Sequence, residues 1–158
     1  MSRENVEVVR RMHDPYEGKD VMPVIREAVT GFGPDPDPAV VLAWWAKDPG
    51  WRHVHAEAEW DTSAVAGVGS KVKGPVEVAR WWADWTEAWE SYVYKTAEYR
   101  DMGDSVLTKT KFETRPLGGT MTVKTTVFQL WEVREEKVAA CRVFLSESEA
   151  LEAAGLSE

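Results

Sequence analysis

One comb of side chains in the sequence has the types and spacing to bind a metal. His53, His55 and Glu57 recur at every second residue of WRHVHAEAEWD, residues 51–61, and on an extended strand that spacing sends all three to one side. Two imidazoles and a carboxylate are zinc-type ligands when they converge. The opposite side carries Val54, Ala56, Ala58 and Trp60. That apolar set claims the core and leaves the comb facing solvent or a subunit interface, so no metal is expected. His55, near the middle of the segment, remains a candidate acid or base, because a histidine side chain ordinarily titrates near neutrality.

Asp61 closes the same segment and is the strongest single candidate for a general base. A carboxylate held in apolar surroundings, here beside Trp60, has its pKa raised toward working pH. Strand parity opposes this role, since Trp60 and Asp61 are neighbours and a regular strand cannot aim both inward. The competing role for Asp61 is a turn cap through Thr62 and Ser63, which makes Thr62 the inward neighbour. His13 falls on the buried stripe of the first helix and is expected as a hydrogen-bonded core residue. Cys141 is the single cysteine. It has no partner for an internal disulfide and is expected as a buried thiol. No phosphate-binding loop or catalytic triad is legible.

The element that must position these groups is the tryptophan-rich segment from Gly74 to Ser91, GPVEVARWWADWTEAWES. Val78, Trp82, Trp85 and Trp89 recur at i, i+4, i+7 and i+11, which stacks them on one stripe of a 3.6-period helix. Gly74 suits the N-cap and Pro75 the first helical position. Before it, short helices are predicted at both ends of the GPDPDP stretch: one from Asp20 to about Gly31, and one from Ala39 to about Lys47 opened by the Asp37–Pro38 cap. After it, residues 92–145 alternate strand-like runs with turns and predict an antiparallel meander. In that meander Thr108, Thr110, Lys109 and Lys111 suggest a polar outer surface or rim. Ser146 and Glu149 form a capping box for a last short helix.

Bulk properties narrow the class. With 158 residues, and no repeat or linker, one domain spanning 1–158 is expected. Lys plus Arg is 19 against 27 for Asp plus Glu, a formal charge of −8, which repels nucleic-acid phosphates and anionic membrane surfaces. The opening MSRENVEVVRR has no apolar core of a signal peptide, and a cytoplasmic location is expected.

The order of helices, one strand, a covering helix and a long meander resembles the nuclear transport factor 2-like superfamily. Its actinobacterial SnoaL-like branch is resembled by ENVEVVRR (4–11), AEWDTSA (58–64), RWWADWTEAWES (80–91), DMGDSV (101–106), VFQLWEVREEKV (127–138) and EALEAAGL (149–156). The resemblance implies an α+β, cone-shaped fold in which a curved antiparallel sheet is covered by helices, with a homodimer formed through the outer sheet face. An insertion at about 35–56 is added to the usual order and would cap or narrow the cone. Carried over strand by strand, the resemblance points Val123, Val127, Gln129 and Trp131 inward, with Cys141, Val143 and Leu145 beside them. Trp60, Trp82, Trp85 and Trp89 would complete the wall. Ketosteroid isomerases of this superfamily pair a Tyr and a protonated Asp as oxyanion donors; here those positions fall at Met12 and near Val127, so steroid isomerisation is not expected.

The expected function is binding of a small apolar or aromatic molecule. Cofactor-free acid/base chemistry of the isomerase, cyclase or lyase type would accompany it if Asp61 or His55 moves a proton while Gln129 orients a substrate oxygen. The alternative is a non-catalytic ligand-binding or interaction scaffold of the same fold.

Overall fold

A computed structural model describes residues 2–65 and 70–155. In chain order the described elements are α1 (Ser2–His13), α2 (Met22–Phe32), α3 (Pro38–Lys47), β1 (Val54–Asp61), β2 (Lys71–Lys73) and α4 (Gly74–Ala88). They continue as β3 (Trp89–Asp101), β4 (Val106–Pro116), β5 (Val123–Arg134), β6 (Lys137–Phe144) and α5 (Glu147–Ala153). The strands lie in the order β2-β1-β6-β5-β4-β3. β3 to β6 form the antiparallel meander, and β1 joins it parallel to β6. This is an α+β, cone-shaped architecture.

That strand order makes α4 the organising element. It leaves β2 at one edge of the sheet and enters β3 at the other, so it has to cross the sheet's full width. Fifteen helical residues span about 22 Å at ~1.5 Å per residue, and six strands are about 24 Å across at ~4.8 Å spacing. The lengths match. Val78, Ala79 and Trp82 are the buried residues of α4, with the Trp82 ring against Phe32 of α2 and Trp44 of α3. The helix begins with Gly74 at φ +83°, a backbone state that L side chains rarely adopt, and the Glu77 carboxylate accepts from Lys73 N at 2.8 Å.

The helix ends earlier than its periodicity implies. Trp89 is extended, with φ −121° and ψ 132°, and opens β3; it reaches the interior as a strand residue and not as the fourth member of the stripe. β1 also starts later than expected, because Trp51–His53 is a 3-10 turn. His53 therefore lies off the strand that carries His55 and Glu57, and the comb does not converge. Among the described residues no group of three or more His, Cys, Asp or Glu is placed to hold a metal. The pairing of β1 with β6 shifts register between Val54 and Glu59, which leaves Ala56 exposed while Ala58 and Trp60 stay buried.

One core runs from Val8 and Val9 on α1, through Ile25, Val41 and Trp82, to Val138 and Cys141 on β6. A second, small cluster of Leu107, Leu130 and Ala150 lies where α5 packs on the outer face of the sheet. The Ser146 hydroxyl caps α5 by accepting from Glu149 N at 3.2 Å. Leu107 faces that outer side, so its neighbours Thr108 and Thr110 face inward, where both are almost fully buried; the expectation that they form a polar outer rim is corrected. Val123, expected inward, is 49% exposed at the start of β5. No described helix is long and apolar enough to cross a membrane.

Candidate functional site

Between the concave sheet face and the helices lies a cavity of about 400 Å³, within the ~300–1,000 Å³ typical of small-molecule sites. Eight of the nine tryptophans line it: Trp44, Trp51, Trp60, Trp81, Trp82, Trp85, Trp89 and Trp131. The segment 35–56 contributes directly to this wall, since α3 supplies Trp44 and the following turn supplies Trp51. The Trp51 ring lies 4.7 Å from Trp82 and 5.2 Å from Trp60, centroid to centroid.

The wall contains a closed girdle of rings. Trp131 meets Trp60 at 6.4 Å, Trp60 meets Trp81 at 6.4 Å, Trp81 meets Trp85 at 5.1 Å, and Trp85 stacks on Tyr92 at 4.6 Å. Tyr92 then meets Phe112 at 5.2 Å, Phe112 meets Tyr94 at 6.3 Å, Tyr94 meets His13 at 5.5 Å, and His13 returns to Trp131 at 4.9 Å. Aromatic pairs at such separations contribute about 0.5–1.5 kcal/mol each beyond their buried area. The girdle is a rigid frame because each ring is held by two others.

Several polar groups of the wall are engaged within the protein. The Tyr16 hydroxyl donates to Asp48 Oδ1, while Asp48 Oδ2 accepts from Gly50 N at 3.0 Å and Trp51 N at 2.9 Å. This buried carboxylate lies behind the wall, where it fixes Tyr16 and the turn that presents Trp51. The Tyr94 hydroxyl donates to the His13 carbonyl at 3.1 Å, and His13 Nδ1 shares a hydrogen bond with the Tyr99 hydroxyl at 3.2 Å. On the sheet, Trp131 Nε1 donates to Thr108 Oγ1 at 2.9 Å. Gln129 Oε1 accepts from Thr108 at 3.2 Å and from Thr110 at 2.8 Å.

The electrostatics of the cavity are those of a neutral chamber. Among the described residues its lining includes no Asp, Glu, Lys or Arg. Burial pushes the His13 imidazole down to about 3, so the ring is neutral at physiological pH. Burial likewise raises Tyr92 and Tyr94 far above the usual phenol range, and burial followed by the Asp48 hydrogen bond raises Tyr16. Each of these described lining groups is thereby shifted away from neutrality.

The positions singled out from sequence divide cleanly. Trp60, Trp82, Trp85, Trp89, Val127, Gln129, Trp131 and Val143 all line the cavity, as do Thr62 and Leu145. Met12 lines it as well. Cys141 does not; it is fully buried in the β6 core beneath the wall, and burial raises its thiol pKa well above the ordinary value. Asp61 and His55 do not line the cavity either. Asp61 Oδ1 accepts from Ser63 N at 2.9 Å, and the Ser63 hydrogen bonds hold its carboxyl below the usual range, the reverse of what a buried general base needs. His55 Nε2 pairs with Glu135 Oε1 at 2.8 Å across the β5–β6 turn. Trp81, Trp44, Trp51, Thr110, Tyr92 and Tyr94 are wall residues that sequence reasoning passed over. For Trp81 a signal was present, since it stands at i+3 from Val78 on the apolar stripe.

No protein-family model matches the chain, and no curated protein matches it. Similar solved structures do exist. An NTF2-like protein from Burkholderia xenovorans superposes with a TM-score of 0.56 at 18% identity, covering 98% of this chain and 97% of its own. A hypothetical protein of ketosteroid isomerase-like fold from Catenulispora acidiphila, in complex with trimethylamine, gives 0.53 at 18% identity over 85% and 94%. TerC, co-crystallized with polyporic acid, gives 0.53 at 18% identity over 85% and 98%. These likenesses establish the NTF2-like fold.

Proposed function

We propose that this protein binds a small, uncharged, aromatic or otherwise apolar molecule inside the tryptophan-walled cavity, and that it does so without acid/base catalysis. The observation that carries the reading is the closed aromatic girdle around a cavity with no Asp, Glu, Lys or Arg among its described lining residues. A chamber of that kind rewards a flat apolar guest through ring stacking and desolvation. It penalises an ion, which would arrive without a counter-charge. Asp61 and His55, the groups that a proton-transfer reaction would have used, are engaged elsewhere, which favours a binding role over the isomerase, cyclase or lyase alternative. The complexes of the similar structures with trimethylamine and with polyporic acid support small-molecule binding as a use of this fold.

Two finer expectations belong to the same reading. The SnoaL-like branch rests on the segments AEWDTSA and RWWADWTEAWES. Pairing of two chains through the outer sheet face predicts a solution mass near twice 17.8 kDa, which light scattering measures; a mass near 17.8 kDa contradicts it.

Binding is tested by titrating the protein with 2-ethylnaphthalene while following tryptophan emission. Saturable quenching that is weakened by Val127→Phe, a substitution that fills the cavity floor, supports the reading. A signal that rises linearly to the solubility limit and is unchanged by the substitution contradicts it.

A further inference from the structure

We infer that the cavity selects a ligand whose apolar body carries a neutral hydrogen-bond acceptor, a carbonyl or ether oxygen, and that Gln129 Nε2 is the donor that reads it. The inference rests on the proposed binding role and narrows its ligand class. Its basis is the direction of one buried relay. An indole N–H donates and never accepts, so the 2.9 Å contact fixes Thr108 Oγ1 as the acceptor from Trp131 Nε1. The Thr108 hydroxyl hydrogen is then free to go to Gln129 Oε1 at 3.2 Å, and Thr110 donates to the same oxygen at 2.8 Å.

This relay sets which way the amide faces. With the amide turned over, Gln129 Nε2 would face both hydroxyls: Thr110 would lose its 2.8 Å acceptor, and the Thr108 hydrogen would be left only the weak 3.5 Å contact with Thr110 Oγ1. The relay is buried throughout: Thr108, Thr110, Trp131 and Gln129 are 0%, 1%, 2% and 8% exposed. Gln129 is thus held with its oxygen satisfied twice on the sheet side and its NH2 on the cavity side, where no hydrogen bond to a described residue uses it.

A donor left open in an apolar wall is a specificity element. A guest with an oxygen at that point restores the lost hydrogen bond, whereas a purely hydrocarbon guest strips water from the amide and gives nothing back. An anion would gain the same contact but no counter-charge. A cation would meet the positive end of the amide dipole, which sets Gln129 against an ammonium guest even though rings alone attract one.

The test compares 2-acetylnaphthalene with 2-ethylnaphthalene, near-isosteres that differ in the carbonyl oxygen, and includes tetramethylammonium as a cationic probe. The native protein is expected to bind the ketone about tenfold or more tighter than the hydrocarbon, and Gln129→Leu to bring the ratio near one. The bound ketone's carbonyl stretch in infrared difference spectra should move to lower wavenumber in the native protein, a readout that needs no variant. Equal affinities, a preference that survives Gln129→Leu, or an unshifted carbonyl band overturns this inference and leaves the binding role standing. Failure of both naphthalenes to bind, with or without tetramethylammonium binding, overturns the binding role itself.

Discussion

The ring of Trp131 stands edge-on to His13, with centroids 4.9 Å apart and planes at 80°. The contact closes the aromatic girdle between the sheet and α1, and burial keeps the His13 imidazole uncharged. His13 releases its proton on folding: its folded pKa is about 3 against 6.5 in the unfolded chain. The unfolded state therefore binds more protons below pH 6.5, so this residue's contribution to stability is complete above 6.5 and is lost as pH falls toward 3. Between pH 6.5 and about pH 4.5 the expected loss is about 2 kcal/mol. Urea unfolding of the native protein and of His13→Gln over that range checks it, with a shallower slope expected for the variant.

Trp82 is the ring on α4 that most other rings lean on, stacked with Phe32 at 6.4 Å and edge-on to Trp44 and Trp51 at 5.6 and 4.7 Å. Trp82→Ala should cost about 3–5 kcal/mol, read as a drop in urea midpoint. A loss below about 1 kcal/mol would mean that the wall does not depend on this ring.

Gly50 sits where the chain passes against the end of α1. A Cβ built there would lie 2.7 Å from the Met12 carbonyl oxygen and 3.3 Å from the Tyr16 ring. Backbone cannot retreat as a flexible side chain would, so Gly50→Ala should cost about 1–3 kcal/mol. It should also disturb the Asp48 turn that presents Trp51. Thermal unfolding and the near-ultraviolet tryptophan circular dichroism report the two effects separately.

Asp61→Asn and His55→Gln should leave the affinity for 2-acetylnaphthalene unchanged. The first weakens a surface turn by about 1 kcal/mol or less; the second removes a pair with Glu135 that water largely screens. A tenfold loss of affinity in either variant would bring that residue back into the site.

The tryptophan face of α4 was legible because an apolar stripe at helical spacing has to lie on something, and Val78, Trp82 and Trp85 do so. Trp89 broke the pattern for a reason that periodicity does not carry: β3 takes over the chain one residue after α4 ends. Thr108 and Thr110 were misplaced because hydroxyls suggest solvent, whereas here they are buried to orient Gln129. The parity conflict at Trp60 and Asp61 was visible in the sequence and is resolved in favour of the indole. Tyr16 and Asp48 are 32 residues apart, and no local pattern links them.

The most direct test uses the nine indole N–H resonances in a two-dimensional nitrogen–proton spectrum. Eight belong to rings in the cavity wall, while Trp45 is buried outside it. Adding 2-acetylnaphthalene should shift the wall resonances, with Trp131 and Trp60 prominent, and move Trp45 least. A spectrum in which no wall indole responds to the saturating probe, or in which Trp45 responds most, would contradict the account.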